Sequence, residues 1–229
     1  MKNKALLFLP LVTLLTGCSF SSSLSKAKFE SNLEQVVNNI NAGQKNVAIR
    51  DRLGTTAYNY KEGEFYSYHY FVVALILPIE ESNMTWKDED GKYYHYTYNN
   101  LNKTKKLVEI DETTFNTYMQ GHKETIHNLL MEPVNTTYDL LNENKDKYTS
   151  VSNQLKKDMF SNEFYIKSKV TYRVQNGDTY ENHQKTITIK YKNNLPIEHT
   201  SKEDGTSTRK FSYGDAKFSK PSTDSSESN

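Results

Sequence analysis

The sequence predicts an α+β protein: an N-terminal helix, a run of antiparallel strands, a central helical stretch, and a second antiparallel meander. Three observations predict it. The spacing of apolar residues switches from helical to alternating, back to helical, and back again along the chain. Gln175-Asn176-Gly177-Asp178 is a strong two-residue hairpin signal between two alternating stretches. And the 17 tyrosines cluster in alternating segments, as residues suited to half-buried strands do.

Taken in order, Phe29, Leu33, Val36, Val37 and Ile40 fall on one face of a helix between Ser25 and Asn41, with Gly43 as its stop. The period then becomes two in the runs Val47 to Tyr60, Glu64 to Leu77 and Lys92 to Asn99. Lys61-Glu62-Gly63 and the acidic Lys87 to Gly91 act as turns between them, and a short strand from Lys106 to Ile110 follows. Asp111 caps a helix whose stripe is Phe115, Tyr118, Met119, Ile126, Leu129 and Leu130, and which should end before Pro133. Two shorter helical pieces are expected, Asn135 to Asn142 and Val151 to Met159. Strands from Phe164 to Val174, Thr179 to Tyr191, Leu195 to Thr200 and Ser207 to Phe218 complete the second meander.

The N-terminus carries a different kind of signal. Lys2 and Lys4 precede an apolar run from Ala5 to Leu15, and Leu15-Thr16-Gly17-Cys18 closes it with the chain's single cysteine. This resembles a bacterial lipoprotein signal, a lipobox, with Cys18 at the position that takes a diacylglyceryl group. The resemblance implies a signal peptide at 1–17, lipidated Cys18 with a serine-rich flexible tether through residue 25, one folded domain over 26–221, and a disordered tail at 222–229. It also implies a membrane anchor with palmitate-type acylation on the extracytoplasmic face of the cell envelope. The apolar run is shorter than the roughly 20 residues a spanning helix needs, and Pro10 interrupts it. The expected mature chain has 27 basic and 28 acidic residues, so nothing attracts it to nucleic acid.

Motifs for catalysis are sparse, and a non-catalytic protein without cofactor or metal is the expectation. The chain lacks a G-x-S-x-G elbow, a phosphate-binding loop, G-x-G-x-x-G and H-E-x-x-H. His122 and His127, five apart, point about 140° apart around a helix, and read as polar residues flanking the apolar stripe. His69 and His95 sit in tyrosine-rich strands and would face each other if those strands paired. Glu80-Glu81 and Asp88-Glu89-Asp90 read as solvated turn residues.

The aromatic strands are the candidate ligand site. Tyr66, Tyr68 and Tyr70 share one strand face, and Tyr94, Tyr96 and Tyr98 another. Two such rows lining one concave surface would offer rings with hydroxyl tips to acyl chains, sterol-like molecules or sugars. The plainer reading is that tyrosine suits a strand with one half-wet face.

The element order, with Tyr191-Lys-Asn-Asn-Leu195-Pro196 and the closing Phe211-Ser-Tyr213-Gly214-Asp215, resembles the lipoprotein-carrier fold of the LolA, LppX and LprG type over roughly residues 26–221. That resemblance implies a curved antiparallel sheet, an incomplete β-barrel, wrapped around a helical plug. It also implies a cavity for lipid or another apolar or amphiphilic ligand, with Phe115 and Met119 lining it or, being large, filling it. The alternative is a ligand-free module that presents its surface to another envelope protein.

Overall fold

The computed structural model describes residues 21–43, 45–61, 64–73, 77–214 and 220–221, the side chains of 61, 72, 73 and 77 excepted. Cys18, the lipobox and the tail at 222–229 lie outside the described residues. The expected α+β architecture is what the chain adopts: among the described residues, a twelve-stranded, wholly antiparallel, curved open sheet wraps around two helices.

The first helix, α1 (Lys26–Asn41), starts where Ser25 accepts a hydrogen bond from the Lys28 amide and buries Phe29, Leu33, Val36 and Ile40, the stripe that the spacing predicts. Before it, β1 (Ser21–Ser23) pairs with β8 (Ser150–Asp158), so the expected tether is tied to the sheet at these three residues. The helix expected over Val151–Met159 is therefore a strand. Val151 and Leu155, four apart, imitate a helical face. In the strand, Val151, Asn153, Leu155 and Lys157 alternate toward the helices, opposite Val170, Ser168, Ile166 and Phe164.

The expected run Val47 to Tyr60 divides into β2 (Val47–Arg50) and β3 (Gly54–Lys61). Asp51 makes the corner by accepting hydrogen bonds from the amides of Leu53 and Gly54 at 2.8 and 3.0 Å. Gly54 is needed for close approach: a Cβ there would sit 1.9 Å from the Tyr70 carbonyl oxygen. Next come β4 (Glu64–Val73), β5 (Leu77–Lys87), β6 (Tyr93–Asn99) and β7 (Thr104–Ile110). Glu80 and Glu81, expected in a turn, lie inside β5. Its two faces carry Glu81, Asn83 and Thr85 on one side and Glu80, Ser82, Met84 and Trp86 on the other, so it shows no apolar alternation.

The central helix α2 (Glu112–Leu141) begins where the Asp111 carboxylate accepts from the Thr114 amide and hydroxyl, as expected. It does not stop at Pro133. A proline forfeits one helical hydrogen bond and crowds the preceding turn, at a cost of about 3 kcal/mol. Val134, Thr137, Leu140 and Leu141, all buried just beyond it, offset that cost.

The second meander is β9 (Glu163–Asn176), β10 (Thr179–Lys192), β11 (Leu195–Lys202) and β12 (Thr206–Tyr213). The β9–β10 hairpin forms at this signal, but Asn176 pairs with Thr179, so the two-residue loop is Gly177-Asp178, with Gly177 at φ 61°, and not Asn176-Gly177. Asn193 and Asn194, at φ 51° and 57°, turn β10 into β11 in the primed-turn geometry that asparagine tolerates. The sheet order is β1-β8-β9-β10-β11-β12-β2-β3-β4-β5-β6-β7, so β12 bonds β2 and joins the two meanders into one sheet whose free edges are β1 and β7.

α2 crosses this concavity obliquely. Its Phe115 packs on Tyr93 of β6, His122 on Phe65 of β4, and Glu132 pairs with His199 and Arg209 of β11 and β12. Thr137 then meets Tyr191 of β10, and the Leu140 carbonyl accepts from Asn153 of β8. α1 lies beside the C-terminal half of α2, with Phe29 edge-on to Phe164 of β9 at 5.2 Å. The dry core forms there: Phe29, Leu33, Val36, Val134, Leu140, Ile166, Ile189 and Tyr191 are all 0% exposed.

Candidate functional site

The cross-strand register fixes which side of the sheet each predicted site residue occupies. Phe65 stacks on His122 of α2, ring centroids 3.5 Å apart, so the helix-facing side of β4 carries Phe65, Ser67 and His69. Tyr66, Tyr68 and Tyr70 point the other way. They align across β5, through Met84, Ser82 and Glu80, with Tyr96 and Tyr98, while Tyr94 lies opposite Trp86 and stacks on it at 5.5 Å. The two tyrosine rows do share one face, as the alternation predicts. That face is the outer one, so these residues do not line the space between sheet and helices. Alternation alone shows which residues share a face. Contact with α2 decides which face is inward.

Burial raises the pKa of the Tyr66, Tyr68 and Tyr96 phenols, with neighbouring phenols and Glu80 adding to the shift at Tyr66 and Tyr68. Tyr94 is likewise raised. All therefore stay protonated hydrogen-bonding groups at neutral pH. Phe115 and Met119 lie where they were expected, between α2 and the sheet. At 8% and 6% exposure they fill that space, Phe115 against Tyr93 at 4.7 Å.

The inner face of β3–β7 is more polar and less fully buried than the inner face beneath α1, whose few polar groups, such as Ser168 and Asn153, are bonded to one another. Three cross-strand rows are polar. In the first, Thr56 Oγ1 and His69 Nδ1 lie 3.2 Å apart, and Asn99 donates to Glu81 at 2.6 Å. The second is Tyr58, Ser67, Asn83 and Thr97. In the third, Thr85 Oγ1 and His95 Nδ1 lie 3.0 Å apart beside Phe65 and Tyr60. The N-terminal half of α2 covers the third row: His122 sits on Phe65, and Tyr118 meets the His95 ring at 4.6 Å. The first two rows run on past it, and there Thr56, Tyr58, His69, Glu81, Asn83, Thr97 and Asn99 are only partly buried. The result is a half-exposed polar strip of the inner face, bordered by the N-terminal half of α2.

Two atoms beside it are buried without a hydrogen-bonding partner in the protein, Asn83 Oδ1 and His122 Nε2. An unpaired buried polar group costs about 1–3 kcal/mol, a cost that a bound molecule relieves only if the side chain turns to meet it. Desolvation holds the imidazoles neutral at physiological pH. Burial lowers the pKa of His69, against the pull of Glu81, and that of His95, with Lys106 adding to the effect. Burial, reinforced by His95, takes His122 down to about 4.

Sequence reasoning passed over Asn83 and read His122 as a flanking polar residue. His122 does fall beside the apolar stripe of α2; the ring of Phe65 beneath it turns that position inward. His69 and His95 share the inner face, but β5 separates their strands. One lies in the first row and one in the third, so they do not face each other. His127 borders a cleft of about 270 Å³ with Ile40 and Lys45, away from His122. Among the described residues, no group of three or more His, Cys, Asp or Glu is placed to hold a metal ion, and no helix is long and apolar enough to cross a membrane.

No protein-family model matches the chain, and no curated protein matches it. Among solved structures, the crystal structure of LprF from Mycobacterium bovis aligns over 88% of this chain and 99% of that one, at 12% identity and a TM-score of 0.34, a likeness too distant to speak to a ligand.

Proposed function

We propose that the protein is a non-catalytic binding module of the cell envelope. It would be held to the membrane through lipid on Cys18 and would take an amphiphilic small molecule on the polar strip of the inner face of β3–β6, beside the N-terminal half of α2. The observation that carries this reading is the contrast within one concavity. Beneath α1 the space is sealed at 0% exposure, and its polar side chains, Thr137 and Ser168, are hydrogen-bonded within the protein. Beneath the N-terminal half of α2, partly buried polar side chains surround two unpartnered buried atoms. A sheet built only to be stable gains by filling that half as it fills the other. Rings at Tyr58 and Tyr118 supply the apolar part of the contact.

Native mass spectrometry of protein released from membranes without detergent, followed by organic extraction, tests this. The expected result is a co-purifying small molecule that raises the melting temperature when added back. Protein that is repeatedly empty and that no extract stabilises would sink the reading. For the anchor, Cys18→Ser should move the protein from the membrane to the soluble fraction with its circular dichroism unchanged.

One observation favours a second reading, docking of another envelope protein. Tyr66, Tyr68, Tyr70, Tyr94, Tyr96 and Tyr98 stay half-exposed on the outer face, around Met84 and a Trp86 that is 2% exposed. Crosslinking from Tyr68 in intact cells separates the two: a partner captured there and lost on Tyr68→Glu supports docking.

A further inference from the structure

The outer face of the second meander carries a charge pattern that its packing does not require. Phe164, Ile166, Ile187, Ile189 and Phe211 turn inward onto the helices, so the residues alternating with them point away. On β8–β12 and the adjoining β2 those outward positions hold nine basic residues and three acidic ones, a net of +6 in a chain whose formal total is +1. Lys190 and Lys192 are neutralised by Glu198 and Glu163 at 2.9 and 2.8 Å, and Lys156 reaches the Ser23 hydroxyl. The other six, Arg50, Lys167, Lys169, Arg173, Lys202 and Lys210, are exposed and make no ion pair among the described residues.

Their neighbours across the strands are hydroxyls and amides. Thr186 separates Lys169 from Lys202, and Thr188 and Gln154 flank Lys167. Lys169, Thr186 and Lys202 border a surface depression of about 450 Å³ with Ser150, Ser152 and Thr171. A face kept only for solubility mixes the two signs, because like charges repel. On the tyrosine half of the same outer face Glu64 and Glu109 are each paired, with Lys220 and Lys92.

A face of one sign fits a surface of the other, and the proposed anchor says which surface is at hand. β1 is the free edge beside β8, and its Ser21 and Ser23 bond the outward Tyr165 and Lys156. Cys18 lies three residues before Ser21, and three residues span at most about 10 Å. That is one screening length at about 0.1 M salt. Lipid on Cys18 therefore holds the edge of the basic face within electrostatic reach of the bilayer. Contact through this face turns the helices, and the polar strip along α2, away from the membrane.

We propose that the outer face of β8–β12 lies against the headgroups of an anionic bilayer, with Lys167, Lys169, Lys202 and Lys210 as its principal contacts. This inference rests on the Cys18 anchor proposed above. To test it, protein purified from membranes is placed on vesicles of phosphatidylcholine alone or with about a third phosphatidylglycerol. Its lysines are labelled with acetic anhydride and read by mass spectrometry. On anionic vesicles those four lysines should label about threefold or more slowly than on neutral ones. Lys103 and Lys105, exposed by the opposite free edge β7, should label equally on both. About 1 M salt, which cuts the screening length to about 3 Å, should abolish the difference. With Lys167→Glu and Lys169→Glu combined, both at exposed positions, labelling of Lys202 and Lys210 should return to the neutral-vesicle rate.

Flotation on both vesicles with equal labelling would overturn the proposal and leave the anchor standing. Flotation on anionic vesicles alone, with the four lysines protected, would support the basic face and overturn the anchor. Protection by soluble polyphosphate but not by anionic vesicles would overturn the bilayer as the occupant of this face.

Discussion

The polar strip makes an unusual demand on Asn83: its side chain should cost the free protein stability. The Oδ1 atom is buried and unpartnered at the centre of a polar row, between Ser67 and Thr97. Replacing the amide by an apolar side chain of similar size, Asn83→Leu, removes the orphaned acceptor and leaves the β5 backbone ladder untouched. The desolvation penalty recovered is about 1–3 kcal/mol. For a chain of this size each kcal/mol moves the melting temperature by about 2–4 °C. Asn83→Leu should therefore melt higher than the parent by scanning calorimetry in the absence of ligand, and should lose the further rise that the extracted molecule gives the parent. Gain of stability and loss of function in one substitution is the signature of a binding residue kept against the interest of the fold. If Asn83→Leu instead loses 1 kcal/mol or more, Asn83 is a structural hydrogen-bonding residue and the reasoning fails.

Three other substitutions probe the same account. His122 has a folded pKa of about 4 against an ordinary value near 6.5, so on acidification the unfolded chain takes up the proton first. Its contribution is fully present above about pH 6.5 and is lost as pH falls toward 4. After allowance for its partial solvent contact that loss is about 1–2 kcal/mol; denaturation between pH 7 and 4.5 should show a slope that His122→Phe flattens, and an unchanged slope would count against the buried placement. Tyr191→Phe deletes a fully buried hydroxyl bonded to Thr137 Oγ1 at 2.6 Å and the Pro133 carbonyl at 3.1 Å. Because Thr137 still donates to Pro133, the cost should be only about 0.5–1.5 kcal/mol in urea, and a loss well above that would mean the hydroxyl holds the proline turn of α2 in place. Gly54→Ala would drive a methyl into the Tyr70 carbonyl and the Phe71 Cα, which are backbone and cannot move aside, at a cost of about 1–3 kcal/mol; a neutral result would refute the tight β3–β4 approach.

Much of this architecture is legible in the residues. The α1 stripe, the Asp111 cap, the β9–β10 hairpin and the second meander as far as Tyr213 follow from local chemistry and appear where that chemistry puts them; the rest of the expected last strand, 215–218, lies outside the described residues. The failures share a cause, tertiary contacts overriding a local signal. Pro133 sits inside α2 because burial on both sides outweighs one lost hydrogen bond. β8 is a strand because β9 offers it a partner, although Val151 and Leu155 alone fit a helix. The site was harder to read. Tyrosine rows advertise themselves, whereas a lone asparagine in a strand and a histidine beside an apolar stripe look like surface. What distinguishes Asn83 and His122 is that α2 folds over the inner face of β4–β6, a long-range fact that no local pattern carries.

The most direct test of the central claim is where a ligand sits. In an isotope-labelled sample titrated with the molecule extracted from the native protein, the Asn83 side-chain amide and the His122 ring signals should shift together, with Tyr58 and Tyr118 following and the outer Tyr68 and Tyr70 unmoved. Shifts confined to Tyr68, Tyr70 and Tyr96, with Asn83 and His122 silent, would contradict the account and place the working surface on the outer face of the sheet.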